Sequence, residues 1–259
     1  MSLSGRPWTE IRTLAKQLVH GNNDPQVVEA LRTDLVTAIR GRGDVHLIHQ
    51  AGKPLVTGCR IGGAYVRRRP PKLPCIVVGD SDDIRRDRFS IGHEFCHHLV
   101  DHDPYFADLL FAEPDQGHAL EEDLCDSGAA YLLVRGRHVD EVLANQGQVT
   151  VEAVRQLYAM SNGSVEVCCI ALSYRMTEPG HILVCTPHAD DPTQAIVRLH
   201  ARASDDRPTT TSIHTPILEA VLRGPARDTA VLRSSDGDEQ TKVVELGYIE
   251  GRFVCVVTE

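Results

Sequence analysis

His93, Glu94 and His97 form a His-Glu-x-x-His pattern inside the segment Arg88-Phe89-Ser90-Ile91-Gly92-His93-Glu94-Phe95-Cys96-His97-His98. On a helix, residues four apart lie one turn above each other, so His93 and His97 can offer two imidazoles to one ion. Glu94 sits beside that face, where it can take the proton of a water activated by the ion as the water attacks a carbonyl. A solvated surface helix can carry the same pattern. Phe89, Ile91, Phe95, Leu99 and Val100 argue otherwise, because they make this helix mostly buried, and a buried His-Glu-His face without a partner is costly.

Two imidazoles on zinc call for a third protein ligand and an open fourth position. Glu122, in Ala119-Leu120-Glu121-Glu122-Asp123-Leu124-Cys125, is the preferred candidate. Asp103 is the alternative, since it follows His93 as the last ligand does in zinc proteases of the His-x-x-Gly-x-x-His/Asp type. Those enzymes turn sharply at a glycine, and here that position is Val100. The donor set suits Zn2+, and an N/O site also accepts Mn2+, which could be the activating metal.

Several elements must position these groups. Apolar spacing predicts a helix through Ile11, Leu14, Ala15 and Leu18, and a second from Asn23 or Asp24 through Ile39, opened by Pro25 and closed by Gly41 and Gly43. Strands are predicted around Val45–Ile48, Gly63–Arg67 and Cys75–Val78. The motif helix should run from about Ile84 to Val100 and end at Asp103-Pro104. The Glu122 helix should run from about Ala119 to Val134, with Phe111 to Gly117 as a loop. Further helices are expected at Val139–Ala144, Val151–Met160 and Ser164–Met176. Glu178-Pro179-Gly180 marks a boundary. Beyond it, strands are expected at 182–185, 195–200, 229–232, 242–246 and 252–257, with one helix at 217–222.

Composition narrows the class. The 259 residues are 42% hydrophobic and 24% charged, which excludes a disordered or fibrous chain. The longest apolar run, Val167 to Leu172, is far too short to span a bilayer, and the polar start lacks a signal-peptide core. Eight cysteines without a CxxC pair read as reduced, buried thiols. A cytoplasmic protein without membrane contact is expected. The net charge of −9 opposes nucleic acid overall.

The run Arg86-Asp87-Arg88-Phe89-Ser90-Ile91-Gly92-His93-Glu94, then His97, then Glu122-x-x-Cys125-x-x-Gly128-Ala129-Ala130-x-Leu132-Leu133, resembles the IrrE/ImmA family of metallopeptidases, and most of all its IrrE (PprI) branch. Gly63-Ala64-Tyr65 and Ile76-Val77-Val78 also match. The resemblance implies an α+β fold: a thermolysin-like minimal zinc-peptidase domain over 1–147, with an antiparallel sheet packed on the motif helix. Helix-turn-helix-like linker helices over 148–179 and a C-terminal GAF-like α+β domain over 180–259 follow. It also implies a gluzincin-like endopeptidase acting on an HTH (XRE-type, DdrO-like) repressor to induce a DNA-damage or stress response. His93, His97 and Glu122 would be the ligands and Glu94 the general base. Gly92 departs from the family's alanine before the first histidine, and Arg135 from its usual proline.

Around these residues, Asp126 lies on the same helical face as Glu122, where it can hold a histidine ring nitrogen or simply face solvent. His98 points about 100° away from His97 and is not expected to be a ligand. Tyr65, Tyr105 and Tyr131 read chiefly as packing residues, with Tyr65 a possible contact for substrate backbone, and Cys96 as core. The pair of helices around Ser164 has helix-turn-helix spacing. Its second member offers almost no donors for bases or phosphates, so direct DNA binding is not expected. Arg67-Arg68-Arg69-Pro70-Pro71-Lys72 and Arg85-Arg86-Asp87-Arg88 concentrate positive charge, either as solvated surface or as a patch steering an acidic partner. The rival to a protease is a metal-containing regulatory protein that binds protein or DNA without proteolysis. The sequence leaves the oligomeric state open.

Overall fold

The computed structural model describes residues 5–50, 62–79, 81, 83–113, 115–176, 180–187, 194–202, 208–212, 226–234 and 239–258. Helices and strands are mixed, and the chain divides into two compact units, Met1–Arg135 and Gly136–Glu259.

The first unit opens with α1 (Trp8–Gly21), whose buried stripe of Ile11, Leu14, Ala15, Leu18 and Val19 follows the helical period. The single helix expected next is two: α2 (Pro25–Thr33) and α3 (Leu35–Arg42). Asp34 causes the break. Its backbone leaves the helical region while its side chain accepts from Thr37 N–H, capping α3. Strands β1 (His46–Gln50), β2 (Gly63–Val66) and β3 (Cys75–Gly79) form a sheet ordered β1-β3-β2. That sheet is mixed where an antiparallel one was expected: β3 lies antiparallel to β2 but parallel to β1. Strand β3 pairs with β2 and inserts beside β1, so the first and last strands run the same way.

Three helices complete the unit. Helix α4 (Ile84–His102) is capped by Asp83, which accepts from Arg85 and Arg86 N–H, and its middle is buried against β2, β3 and helix α6 (Gly117–Leu133). Between them lies α5 (Pro104–Phe111), which the sequence reading did not assign. Asp103-Pro104 both ends α4 and begins α5: Pro104 occupies the first helical position and Asp103 accepts from Tyr105 N–H.

In the second unit, α7 (Gly136–Gln146) packs on α8 (Val151–Met160), and α8 on α9 (Val165–Ser173). Ser164 caps α9, accepting from Val167 N–H. Strands β4 (Gly180–Pro187), β5 (Gln194–Arg202), β6 (Pro208–Ser212), β7 (Ala226–Ser234), β8 (Glu239–Ile249) and β9 (Arg252–Thr258) form a closed antiparallel barrel in sequence order, with β9 returning to β4. Strand β6 adds to the expected five. The helix expected at 217–222 lies outside the described residues. Ile182, Val184, Leu246, Val254 and Val256 are among the barrel's buried residues. Buried Val165, Val167, Cys168, Cys169 and Leu172 make α9 a packing helix, which leaves few polar groups for base readout. No helix among the described residues is long and apolar enough to cross a membrane.

Candidate metal centre

Two helices build the site. Small residues let α4 and α6 approach closely: a Cβ on Gly128 would lie 2.5 Å from Cys96 Sγ, and one on Gly92 would lie 3.3 Å from Ala129 Cβ. The glycine before the first histidine therefore has a packing role here. This closeness brings the α6 carboxylates within reach of the α4 imidazoles.

His93 and His97 present their Nε2 atoms to each other at 3.1 Å. Glu122 lies opposite, with Oε2 3.5 Å from His93 Nε2 and Oε1 3.4 Å from His97 Nε2. One donor atom from each of the three residues falls within 4.8 Å of the others, a group that could hold a metal ion. The far side of each ring is tied to α6: His93 Nδ1 is 2.8 Å from Asp126 Oδ1, and His97 Nδ1 is 2.8 Å from Glu121 Oε1. An ionised carboxylate only accepts, so each Nδ1 carries the hydrogen, and the neutral form of each ring has its lone pair on Nε2. With both rings neutral, two lone pairs and a carboxylate converge on one point. That arrangement fits a cation.

A proton competes with a cation for the same Nε2 position on His97. Burial lowers the His97 pKa, but hydrogen bonds to Glu121 and Glu122 outweigh it and lift the value to about 9. Hydrogen bonds from His93 and His97 hold the Glu122 carboxyl well below the usual carboxylate range.

Glu94 is buried on the neighbouring face of α4, where burial pushes its pKa up against the pull of the two histidines. Oε2 accepts from Tyr65 N–H at 2.6 Å. Oε1 is buried with no hydrogen-bond partner among the described residues. Gly63 makes room for this carboxylate, since a Cβ there would lie 3.0 Å from Glu94 Cγ. A raised carboxylate with one oxygen fixed and the other available is suited to accepting a proton.

The remaining expected residues fall elsewhere. Asp103, the alternative third ligand, caps α5 with one oxygen and accepts from Asn22 Nδ2 with the other, at 2.8 Å. His98 is buried between the Tyr65 hydroxyl, 3.4 Å from its Nδ1, and Asp44 Oδ2, 3.4 Å from its Nε2. Tyr131 pairs with His20 at 2.7 Å, and Tyr105 is exposed. Cys96 is fully buried, and burial raises its thiol to about 12. Glu121 is the residue that spacing alone did not single out.

The geometry defines a class: a protein with a His–His–carboxylate centre shared by two packed helices and able to hold a metal ion. A family model described as Peptidase_M78, the IrrE N-terminal-like domain, matches residues 56–172, and the IrrE/ImmA resemblance stands. Among solved structures, a Mycobacterium tuberculosis transcriptional regulator is similar in fold, with a TM-score of 0.50 and 13% identity over 96% of this chain and 86% of that one. No curated protein matches the chain in sequence.

Proposed function

We propose that this chain is a site-specific metalloendopeptidase, in which His93, His97 and Glu122 hold a divalent cation and Glu94 is the general base. One observation carries the reading: the Nε2 atoms of two imidazoles and the Glu122 carboxylate face one point, while Glu94 offers beside them a buried oxygen with no hydrogen-bond partner among the described residues. When bound, Zn2+, or Mn2+ as an activating ion, supplies Lewis-acid activation of water.

The chain's own residues do the rest. Asp126 and Glu121 fix the two imidazoles in the tautomer that turns Nε2 inward. Tyr65 N–H pins Glu94 Oε2, so Oε1 receives the proton of the attacking water and can return it to the leaving amine. Burial of Glu94 and His93 keeps bulk water from levelling these interactions.

The substrate in this reading is an XRE-type, DdrO-like HTH repressor, and its cleavage induces a DNA-damage or stress response. The peptidase part resembles a minimal thermolysin-like domain, and residues 180–259 are its regulatory part. Intracellular action on a repressor follows from that substrate.

The test incubates the purified chain with candidate XRE-type repressors, with Zn2+ or Mn2+ and with chelator. Cleavage should need metal, and Glu94→Gln should retain metal while losing roughly 10²–10⁴-fold in rate. Unchanged cleavage by Glu94→Gln removes that residue from the mechanism. Intact repressor under every metal condition favours a regulatory protein that acts by binding alone.

A further inference from the structure

We propose that Asp101 is a positioning residue for Glu94, acting through the edge strand that carries Tyr65. The inference rests on the reading of Glu94 as general base.

On α4, Glu94, His98 and Asp101 are spaced four and three apart and therefore share one face. That face meets β2, while the face bearing His93 and His97 meets α6. Tyr65 bonds to it twice: its backbone N–H donates to Glu94 Oε2 at 2.6 Å, and its hydroxyl donates to Asp101 Oδ2 at 2.9 Å. The second Asp101 oxygen takes Arg67 Nε at 2.8 Å. Tyr65 and Arg67 are two apart, so Asp101 grips two side chains on the same side of one extended segment. The His98 ring packs edge-on against Tyr65, with centroids 5.7 Å apart.

Such a clamp has work to do because β2 is a short edge strand, paired only with β3 among the described residues. Pairing with β3 fixes its register along the sheet but not its height above α4. Asp101 fixes that height. The Tyr65 amide then meets Glu94 at hydrogen-bond distance, and the carboxylate's other oxygen is held in one direction.

The experiment uses the full chain and two readouts. Backbone amide exchange at position 65, followed by NMR without substrate, reports the grip on Glu94. Steady-state cleavage of an XRE-type repressor with Zn2+ reports its consequence. Tyr65→Phe removes only the hydroxyl, and Asp101→Ala removes the acceptor. Each should speed exchange at position 65 by about tenfold and lower kcat by about tenfold, with KM within about twofold and metal content unchanged. The double variant should be no worse than Asp101→Ala alone, because both substitutions break the Tyr65–Asp101 link. Asp101→Asn, which retains an acceptor oxygen, should recover most of kcat.

Unchanged exchange at position 65 in Tyr65→Phe overturns the clamp, even if Asp101→Ala fails to fold. Faster exchange with unchanged kcat overturns the positioning role. The exchange measurement needs no substrate, so a wild-type chain that cleaves nothing refutes the protease reading and leaves the clamp tested on its own.

Discussion

His97 Nδ1 and Glu121 Oε1 stand 2.8 Å apart, and Glu121 immediately precedes Glu122, the residue that faces the other nitrogen of the same ring. Two consecutive side chains of α6 thus hold opposite edges of one imidazole, while Asp126, one turn on, holds the second imidazole. Carboxylate partners of this kind fix the ring tautomer and raise its basicity. Glu121→Ala and Asp126→Ala are each expected to weaken Zn2+ binding by roughly 10–100-fold with helix content unchanged. Competition against a chelator of known affinity, beside far-UV circular dichroism, measures both. Wild-type affinity in both variants would show that the ring orientation needs no carboxylate.

Protons and metal should compete at this centre, and the sign follows from His97. Its folded value of about 9 lies above the ordinary histidine value of 6.5. In the metal-free protein its contribution to stability is complete below about pH 6.5 and is lost as pH rises through about 9. Cation binding needs His97 neutral, so apparent metal affinity should climb by about tenfold per pH unit through that window and flatten above it. Calorimetry in buffers of different ionisation enthalpy should record about one proton released per ion bound near pH 7.5. Binding without proton release at that pH would contradict a charged His97.

What could be read from the chain in advance was whatever a single element fixes. The helix period alone puts His93 and His97 on one face, and puts Asp126 one turn beyond Glu122. Cap chemistry is similarly local, and Ser164 before α9 was visible for that reason. Asp34 was a local signal too, but the apolar stripe running past it masked the break. Relations between elements were harder. His98 finds Asp44 far upstream and Tyr65 on an edge strand, so no spacing rule shows that it is buried. Glu121 reaches His97 only because α4 and α6 lie close, a distance set by Gly128 and Gly92 rather than by the motif. Strand β6 begins at Pro208 and runs through three threonines, a β-branched signal too short to stand out alone.

That closeness of α4 and α6 is itself testable at Gly128. A Cβ there would sit 2.5 Å from Cys96 Sγ and 3.6 Å from Cys96 Cβ, and Cys96 is fully buried, so the sulfur cannot swing into solvent. Gly128→Ala gains roughly 1 kcal/mol of helix propensity. Overpacking of this kind costs about 1–3 kcal/mol, and relief requires the helices to separate. A net loss of up to about 2 kcal/mol is therefore expected in urea unfolding, with weaker Zn2+ binding because the carboxylates of α6 retreat from the imidazoles of α4. Gly136→Ala is the control, since a Cβ there meets nothing within 4 Å, and it should leave zinc affinity unchanged without lowering stability. Adding Cys96→Ala to Gly128→Ala opens the space the new methyl needs and should restore metal affinity more fully than stability. If Gly128→Ala binds zinc as tightly as the wild type, the spacing of α4 and α6 does not govern the centre.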